Sequence, residues 1–301
     1  MTAPIRPEAT LPAHPLRFEQ VRIENTDHCG YRCFFCPREQ LTRPRGFMPL
    51  EDLDLVLLRV GAHEGRVDLH GFGEPLLDRL LPAKVALVRE RWPGARPTIY
   101  TTLGVPLPEG YLRDLVAAGL SHVEVSFYGA DPDSYACAHG VDRFETARAN
   151  LEVLARLARE HPLLKVVVRA FPTHDTVKPP EPSDRARREL LGWMESLGLE
   201  TFRERALHNY GSGRAYNPPG ARAPCSITWG LRYRILQITW DLDVIPCCFD
   251  FNAEVKLGNL RHQTLAEVFG GAAYRTFFEA HLTNRLEDYP ICLSCERCRE
   301  P

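Results

Sequence analysis

The sequence predicts an α/β chain, a partial (β/α)6 TIM-like barrel followed by a cysteine-rich C-terminal unit. Three observations carry this reading. Short β-branched runs alternate six times with amphipathic stretches between residues 20 and 206, which predicts a parallel sheet with right-handed crossovers. Eight such units close a full barrel, so six leave it open along one side. A Gly- and Pro-rich segment, YGSGRAYNPPGARAP at 210–224, then ends the alternation, and nine of the ten cysteines cluster near the two ends of the chain.

Residues 1–16 are proline-rich without an apolar stretch, and they read as a flexible lead-in rather than a secretory signal. The barrel is expected over 17–210. Its strands are QVRIENT (20–26), RVDLHG (66–71), PTIYTT (97–102), HVEVSF (122–127), KVVVRAF (165–171) and LETFRERA (199–206). Between them, residues 50–63, 80–92, 109–119, 142–161 and 184–198 carry apolar side chains at helical spacing. The remaining unit, 211–301, offers a β-hairpin in LRYRILQITWDLDVIPCCFDF (231–251), two helices over 264–271 and 272–282, and a terminal CLSCERC.

Composition excludes several classes. Hydrophobic residues at 44% and charged residues at 25% suit a globular chain. Lys plus Arg (37) nearly balance Asp plus Glu (39), for a net charge of −2, which gives no electrostatic footprint for nucleic acid. No apolar run approaches the ~18 residues of a membrane span. A cytoplasmic location follows, where thiols stay reduced, so ten cysteines point to metal rather than to disulfides.

HCGYRCFFCPR sets Cys29, Cys33 and Cys36 at C-x3-C-x2-C in the loop after the first strand, the end of a β/α barrel that carries chemistry. Structural zinc takes four closed ligands. Three thiolates on a four-iron cubane leave one iron open for an exogenous ligand, which makes the site reactive.

This C-x3-C-x-aromatic-C loop on a six-unit β/α chain resembles the radical S-adenosylmethionine (radical SAM) superfamily over roughly residues 17–206. The resemblance implies that Cys29, Cys33 and Cys36 hold a [4Fe-4S] cluster whose open iron is chelated by S-adenosylmethionine, with Phe35 over the adenine. HGFGEPLL (70–77) resembles the family's Gly-Gly-Glu stretch: Gly71 and Gly73 permit close backbone approach, and Glu74 would accept from the methionine ammonium. Ser126 would meet the ribose, and Arg169 would fork onto the methionine carboxylate. TTLG (101–104) departs from the family's Thr-Asn-Gly at Leu103, so Thr101 and Thr102 read equally well as a strand-end cap.

The six C-terminal thiols resemble the auxiliary iron–sulfur domain of the SPASM/twitch subgroup, except that Leu242 stands where a hairpin-turn Gly is usual. The count suits a second [4Fe-4S] cluster, on Cys225, Cys247, Cys292 and Cys295, with Cys298 the rival ligand. A zinc ribbon is the other reading. If VIPCCFDF is a strand, Cys247 and Cys248 point to opposite faces, which turns Cys248 toward the barrel mouth; a small buried side chain would serve equally. Cys137 is expected in the core.

The family's radical chemistry allows three endings. An epimerase needs a second hydrogen donor, and Cys248 would be that catalytic thiol, an arrangement that resembles aminoglycoside epimerases. A twitch-type aminocyclitol or sugar-alcohol dehydrogenase would pass an electron to the auxiliary cluster and need no free thiol. Peptide maturases often carry a recognition domain, for which the short stretch before the first strand leaves no room, while a peptide bound in trans stays an open reading. Parity places Glu124 with Ser126 and Asp68 with His70, so acidic groups are expected to line the cavity and suit a cationic aminoglycoside, although buried ion pairs would account for them too. A flavodoxin- or ferredoxin-type reductant completes the implied partners.

Overall fold

The computed structural model describes residues 16–170, 183–203, 207–211, 213–214, 225 and 234–298. The lead-in before Leu16, residues 204–206 of the sixth strand run, most of the 210–224 boundary segment, the start of the hairpin and the last residues of the tail lie outside them.

Six parallel strands run in sequence order: β1 (Gln20–Ile23), β2 (Arg66–Asp68), β3 (Arg96–Thr101), β4 (His122–Phe127), β5 (Lys165–Ala170) and β6 (Glu200–Arg203). Val21, Ile23, Val67, Val123, Val125 and Val168 are all buried, as expected where helices cover a parallel sheet. Those helices are α1 (Leu50–Val60), α2 (Leu81–Arg91), α3 (Tyr111–Ala117), α4 (Pro132–His139), α5 (Phe144–Glu160) and α6 (Asp184–Ser196). In α5, Phe144, Ala147, Leu151, Leu154, Ala155 and Leu157 fall on one face and are buried, each large side chain contributing roughly 1.5–3 kcal/mol.

Helix α4 is delimited sharply. Asp131 and Ser134 form a reciprocal capping box at its start. Gly140 ends it at φ 71°, a conformation that costs glycine nothing. A Cβ there would stand 2.6 Å from Arg32 O, so this glycine also lets the helix end seat against the cysteine loop.

The C-terminal unit continues the same sheet. Strand β7 (Ile235–Ile238) pairs parallel with the free side of β1, and β8 (Asp243–Ile245) and β9 (Gly258–Asn259) follow antiparallel. Helices α7 (Leu265–Gly270), α8 (Ala272–Leu282) and α9 (Pro290–Leu293) complete it. Val21 and Ile23 share one hydrophobic core with Leu236, Ile238, Val244, Cys292, Cys295 and Cys298.

Two expectations are corrected. VIPCCFDF is not a strand: β8 stops at Ile245 and the chain turns from Pro246 onward, because proline has no N–H for the ladder. The parity argument for Cys247 and Cys248 therefore does not apply. Cys137 is exposed on α4 rather than in the core. Leu242 takes φ 71° in the hairpin turn while fully buried, so it adopts the left-handed conformation of the glycine it replaces. Leu103, where the family pattern has Asn, does the same at φ 59°.

Candidate active site

The loop after β1 is built from buried polar residues. Thr26 Oγ1 donates to Gly46 O at 2.8 Å and accepts from His28 N at 3.0 Å. Cys36 N donates to Cys33 O at 3.0 Å, closing a turn that draws the thiols together. The loop hangs on the C-terminal carbonyls of α4: Arg32 N donates to His139 O at 2.9 Å and Phe34 N to Ala138 O at 3.2 Å. Backbone N–H groups two residues on, from Tyr31 and Arg38, point at the Cys29 and Cys36 sulfurs.

Burial and then the Glu74 charge push the Cys29 thiol up to about 12. Burial likewise raises Cys33 and Cys36. Cys33 Sγ lies 3.3 Å from His139 Nδ1, and His139 Nε2 lies 3.3 Å from Tyr128 N. Burial pulls the His139 imidazole down to about 3, so it stays neutral.

The loop after β2 locks onto the cysteine loop. Glu74 N donates to His28 O at 2.8 Å, and a Cβ on Gly73 would stand 2.3 Å from Thr26 O. The close approach that Gly73 permits is thus to the neighbouring loop. The buried Glu74 carboxylate accepts from Thr101 Oγ1 (2.5 Å), Leu76 N (3.2 Å), Thr102 N (2.9 Å) and Thr102 Oγ1 (2.9 Å). Burial raises its pKa, and these donors oppose the rise. The two threonines at the end of β3 are therefore the clamp on Glu74, a role that the sequence signalled only through their place after a strand.

These loops open on a cavity of about 420 Å3, within the usual range for small-molecule sites, roughly 300–1,000 Å3. Cys29, Cys33, Cys36, Phe35, Gly73, Glu74 and Ser126 all line it, and so does Cys248. Tyr210, at φ 49°, reaches into the same space from the segment after β6; burial and then the neighbouring Cys36 and Cys248 sulfurs push its hydroxyl well up. The wall across β3, β2, β1 and β7 carries Tyr100, His70, Arg22 and Gln237, with Gln237 Oε1 and His70 Nδ1 buried and unpartnered.

The expected acidic lining is corrected. Asp68 is pinned by Arg22 (3.2 Å) and Arg66 (2.6 Å), and Glu124 by Arg169 (2.7 Å) and His122 (3.3 Å). Neither carboxylate is among the lining residues. Arg169, expected on the cofactor's carboxylate, turns its Nε to Glu124 and also stands outside the lining.

Near the C-terminus, Cys298 Sγ lies within sulfur hydrogen-bond range of Cys225, Cys292 and Cys295. Phe249 N donates to Cys247 Sγ at 3.4 Å and Arg297 N to Cys295 Sγ at 3.3 Å, the same two-residues-on pattern as at Cys29 and Cys36. Among the described residues, no three His, Cys, Asp or Glu side chains meet the arrangement for a single metal ion; the Cys298 contacts establish proximity, not coordination. No disulfide joins any of the ten cysteines. Three thiols around one cavity and a second thiol group, each with N–H donors aimed at sulfur, form a donor set that suits iron–sulfur clusters, whose sulfurs take such hydrogen bonds.

An α/β barrel enzyme with thiol-ligated clusters is the class that this fold and site define. Residues 23–172 match the radical SAM superfamily, and residues 225–299 match the iron–sulfur cluster-binding domain called SPASM; the chain belongs to that superfamily and carries that domain. Membership brings a [4Fe-4S] cluster, S-adenosylmethionine and further cluster binding in the SPASM domain.

Among curated relatives, a probable GTP 3′,8-cyclase of Methanothermobacter thermautotrophicus is 27% identical over 63% of this chain and 61% of its own length. A GTP 3′,8-cyclase of a Synechococcus species is 38% identical over 42% and 37%. The chain thus spans less than two thirds of these relatives. Solved structures with the same fold include BtrN in complex with AdoMet and 2-DOIA, at TM-score 0.57 and 19% identity over 94% of this chain and 93% of that one. The peptide-bound anSMEcpe reaches TM-score 0.60 at 15% identity, over 93% and 87%. Streptococcus suis SuiB with its precursor peptide SuiA reaches 0.54 at 14%, over 94% and 70%. No helix among the described residues is long and apolar enough to cross a membrane.

Proposed function

We propose that the chain is a radical SAM epimerase of a small polyhydroxylated natural product, with Cys248 as the hydrogen donor. One observation carries the reading: Cys248 lines the same cavity as Cys29, Cys33 and Cys36, which is where a donor must stand to reach a carbon radical made there. In this reading Cys29, Cys33 and Cys36 hold the first cluster, Phe35, Gly73, Glu74 and Ser126 bound the S-adenosylmethionine site, and the barrel and auxiliary units divide near residue 210.

Bound there, the cluster and S-adenosylmethionine would supply a 5′-deoxyadenosyl radical, made with one electron from the reductant and able to take a hydrogen atom from a substrate carbon. Cys248 then gives its S–H hydrogen to the opposite face of the carbon. The thiyl so formed recovers its hydrogen by taking one electron, from a flavodoxin- or ferredoxin-class reductant, and one solvent proton. Burial works against the charge of the neighbouring Arg22, and the Asp68 carboxylate, 3.2 Å away, holds it. Arg22 faces the substrate space beside His70 and Gln237.

The substrate class follows from that wall. Glu74 is the carboxylate among the described lining residues, and its oxygens are already engaged by four donors. Arg22, His70, Tyr100 and Gln237 suit hydroxyl groups. An aminoglycoside or aminocyclitol would be gripped through its hydroxyls rather than its ammonium groups, and conversion of neomycin C to neomycin B is the reaction of this kind that the sequence resemblance suggests.

Turnover in heavy water tests the reading. The product should carry one deuterium at the inverted carbon, and Cys248→Ala should form 5′-deoxyadenosine without inverted product. A product oxidised by two electrons and free of deuterium would replace the epimerase with a dehydrogenase.

A further inference from the structure

The geometry around α4 points to a residue that tunes the first cluster: we infer that His139 donates Nδ1–H to Cys33 Sγ and thereby raises the cluster's reduction potential. A backbone N–H can only donate, so the 3.3 Å contact from Tyr128 N makes His139 Nε2 the acceptor. An imidazole that accepts at one nitrogen carries its proton on the other. That nitrogen, Nδ1, stands 3.3 Å from Cys33 Sγ. The tautomer is thus fixed by the backbone at the end of β4, and the proton is aimed at the sulfur.

The ring cannot easily turn away. His139 is fully buried, stacks on Tyr128 with centroids 5.4 Å apart and planes 5° from parallel, and packs on Tyr135 at 4.3 Å. Its own carbonyl accepts from Arg32 N, next to Cys33, so the residue grips the cysteine loop by backbone and by side chain. Cys29 and Cys36 take backbone N–H donors from two residues on; Cys33, whose own backbone N–H faces its sulfur, takes this side-chain donor in addition.

A hydrogen bond to a ligand sulfur is stronger when the cluster carries its extra electron, so each such bond favours the reduced state. His139 is a positioning and tuning residue, since it acts through Cys33. The inference rests on Cys33 as a cluster ligand, which the iron content of Cys33→Ala tests separately.

The test is a redox titration of the anaerobically reconstituted chain, followed by electron paramagnetic resonance. The signal that changes on adding S-adenosylmethionine marks the first cluster, and its midpoint is read without that cofactor. His139→Phe, which keeps an aromatic ring and loses the donor, should move the midpoint to a more negative potential. His139→Asn, whose amide nitrogen falls near the Nδ1 position, should restore part of the shift. An unchanged midpoint in a fully loaded His139→Phe, or an Asn variant as negative as the Phe variant, overturns the inference. If His139→Phe fails to load iron, His139→Asn and His139→Leu decide it: a more negative midpoint for Leu than for Asn supports the donor, and equal midpoints overturn it.

Discussion

Thr102 grips one oxygen of Glu74 twice: its backbone N and its Oγ1 both donate to Oε2 at 2.9 Å. With Thr101 Oγ1 on Oε1, the end of β3 holds the carboxylate that follows β2. Thr102→Val keeps the shape and the N–H but removes a donor from a buried acid. A hydrogen bond to a charged group is worth about 1.5–3 kcal/mol, so the variant should lose stability of that order in urea unfolding. If Glu74 meets the methionine ammonium as proposed, the variant should also bind S-adenosylmethionine more weakly. Unchanged stability would refute the clamp.

The ion pair between Arg169 and Glu124 predicts an acid-side signature. Burial alone would raise the Glu124 pKa, yet the neighbouring His122, 3.3 Å away, and the hydrogen bond and charge of Arg169 bring it down to about 2. An acid depressed on folding contributes stability above its unfolded value, near 4.5, and loses that contribution as pH falls toward 2. Arg169→Met should therefore cost on the order of 1–2 kcal/mol at neutral pH, taking one partner's share of the shift at 1.36 kcal/mol per unit. The difference from the parent should shrink steadily between pH 4.5 and 2. A penalty that does not depend on pH would mean that packing, not charge, holds Arg169.

The barrel was legible because its signals are local. Six β-branched runs and five amphipathic stretches set the period, and the strands appear within a few residues of where the pattern puts them. The cysteine loop was legible because its thiols are close in sequence. What the pattern could not reveal depends on contacts between distant segments. His139 meets Cys33 across 106 positions, and β7 adds to β1 from more than 200 residues away. The acidic lining failed for a related reason: strand parity fixes the face on which Asp68 and Glu124 lie, but not that Arg22 and Arg66 engage Asp68, and Arg169 engages Glu124, there. Cys248 reached the cavity by a turn after Pro246, not by strand alternation.

The auxiliary ligand set has a direct test. Cys225, Cys292 and Cys295 are common to both candidate sets, and the fourth place lies between Cys247, whose sulfur takes an N–H from Phe249, and Cys298, whose sulfur touches the other three. The N–H that the Cys247 sulfur accepts, like the one at Cys295, suits a ligating thiolate, since such bonds stabilise it. Cys247→Ser should lower the iron content of the reconstituted chain from about eight toward four atoms, whereas Cys298→Ser should keep about eight. The opposite result assigns the place to Cys298, and one zinc per chain with four irons would replace the second cluster by a zinc ribbon.

Leu242 sets two local effects against each other. Its φ of 71° is a conformation that costs a side-chain-bearing residue roughly 1–2 kcal/mol, so glycine would relieve strain in the turn between β7 and β8. Yet Leu242 is fully buried in the core shared with Leu236, Ile238 and Val244. Removing a buried leucine side chain costs about 2–5 kcal/mol. Burial outweighs strain at the middle of each range, so Leu242→Gly should destabilise the chain by about 2 kcal/mol. The turn leads through β8 to Cys247 and Cys248, so the loss should appear first as lower iron loading in the auxiliary unit. Urea unfolding with iron analysis reads both. A Leu242→Gly chain more stable than the parent would show that the strained turn, not the side chain's burial, dominates at this position.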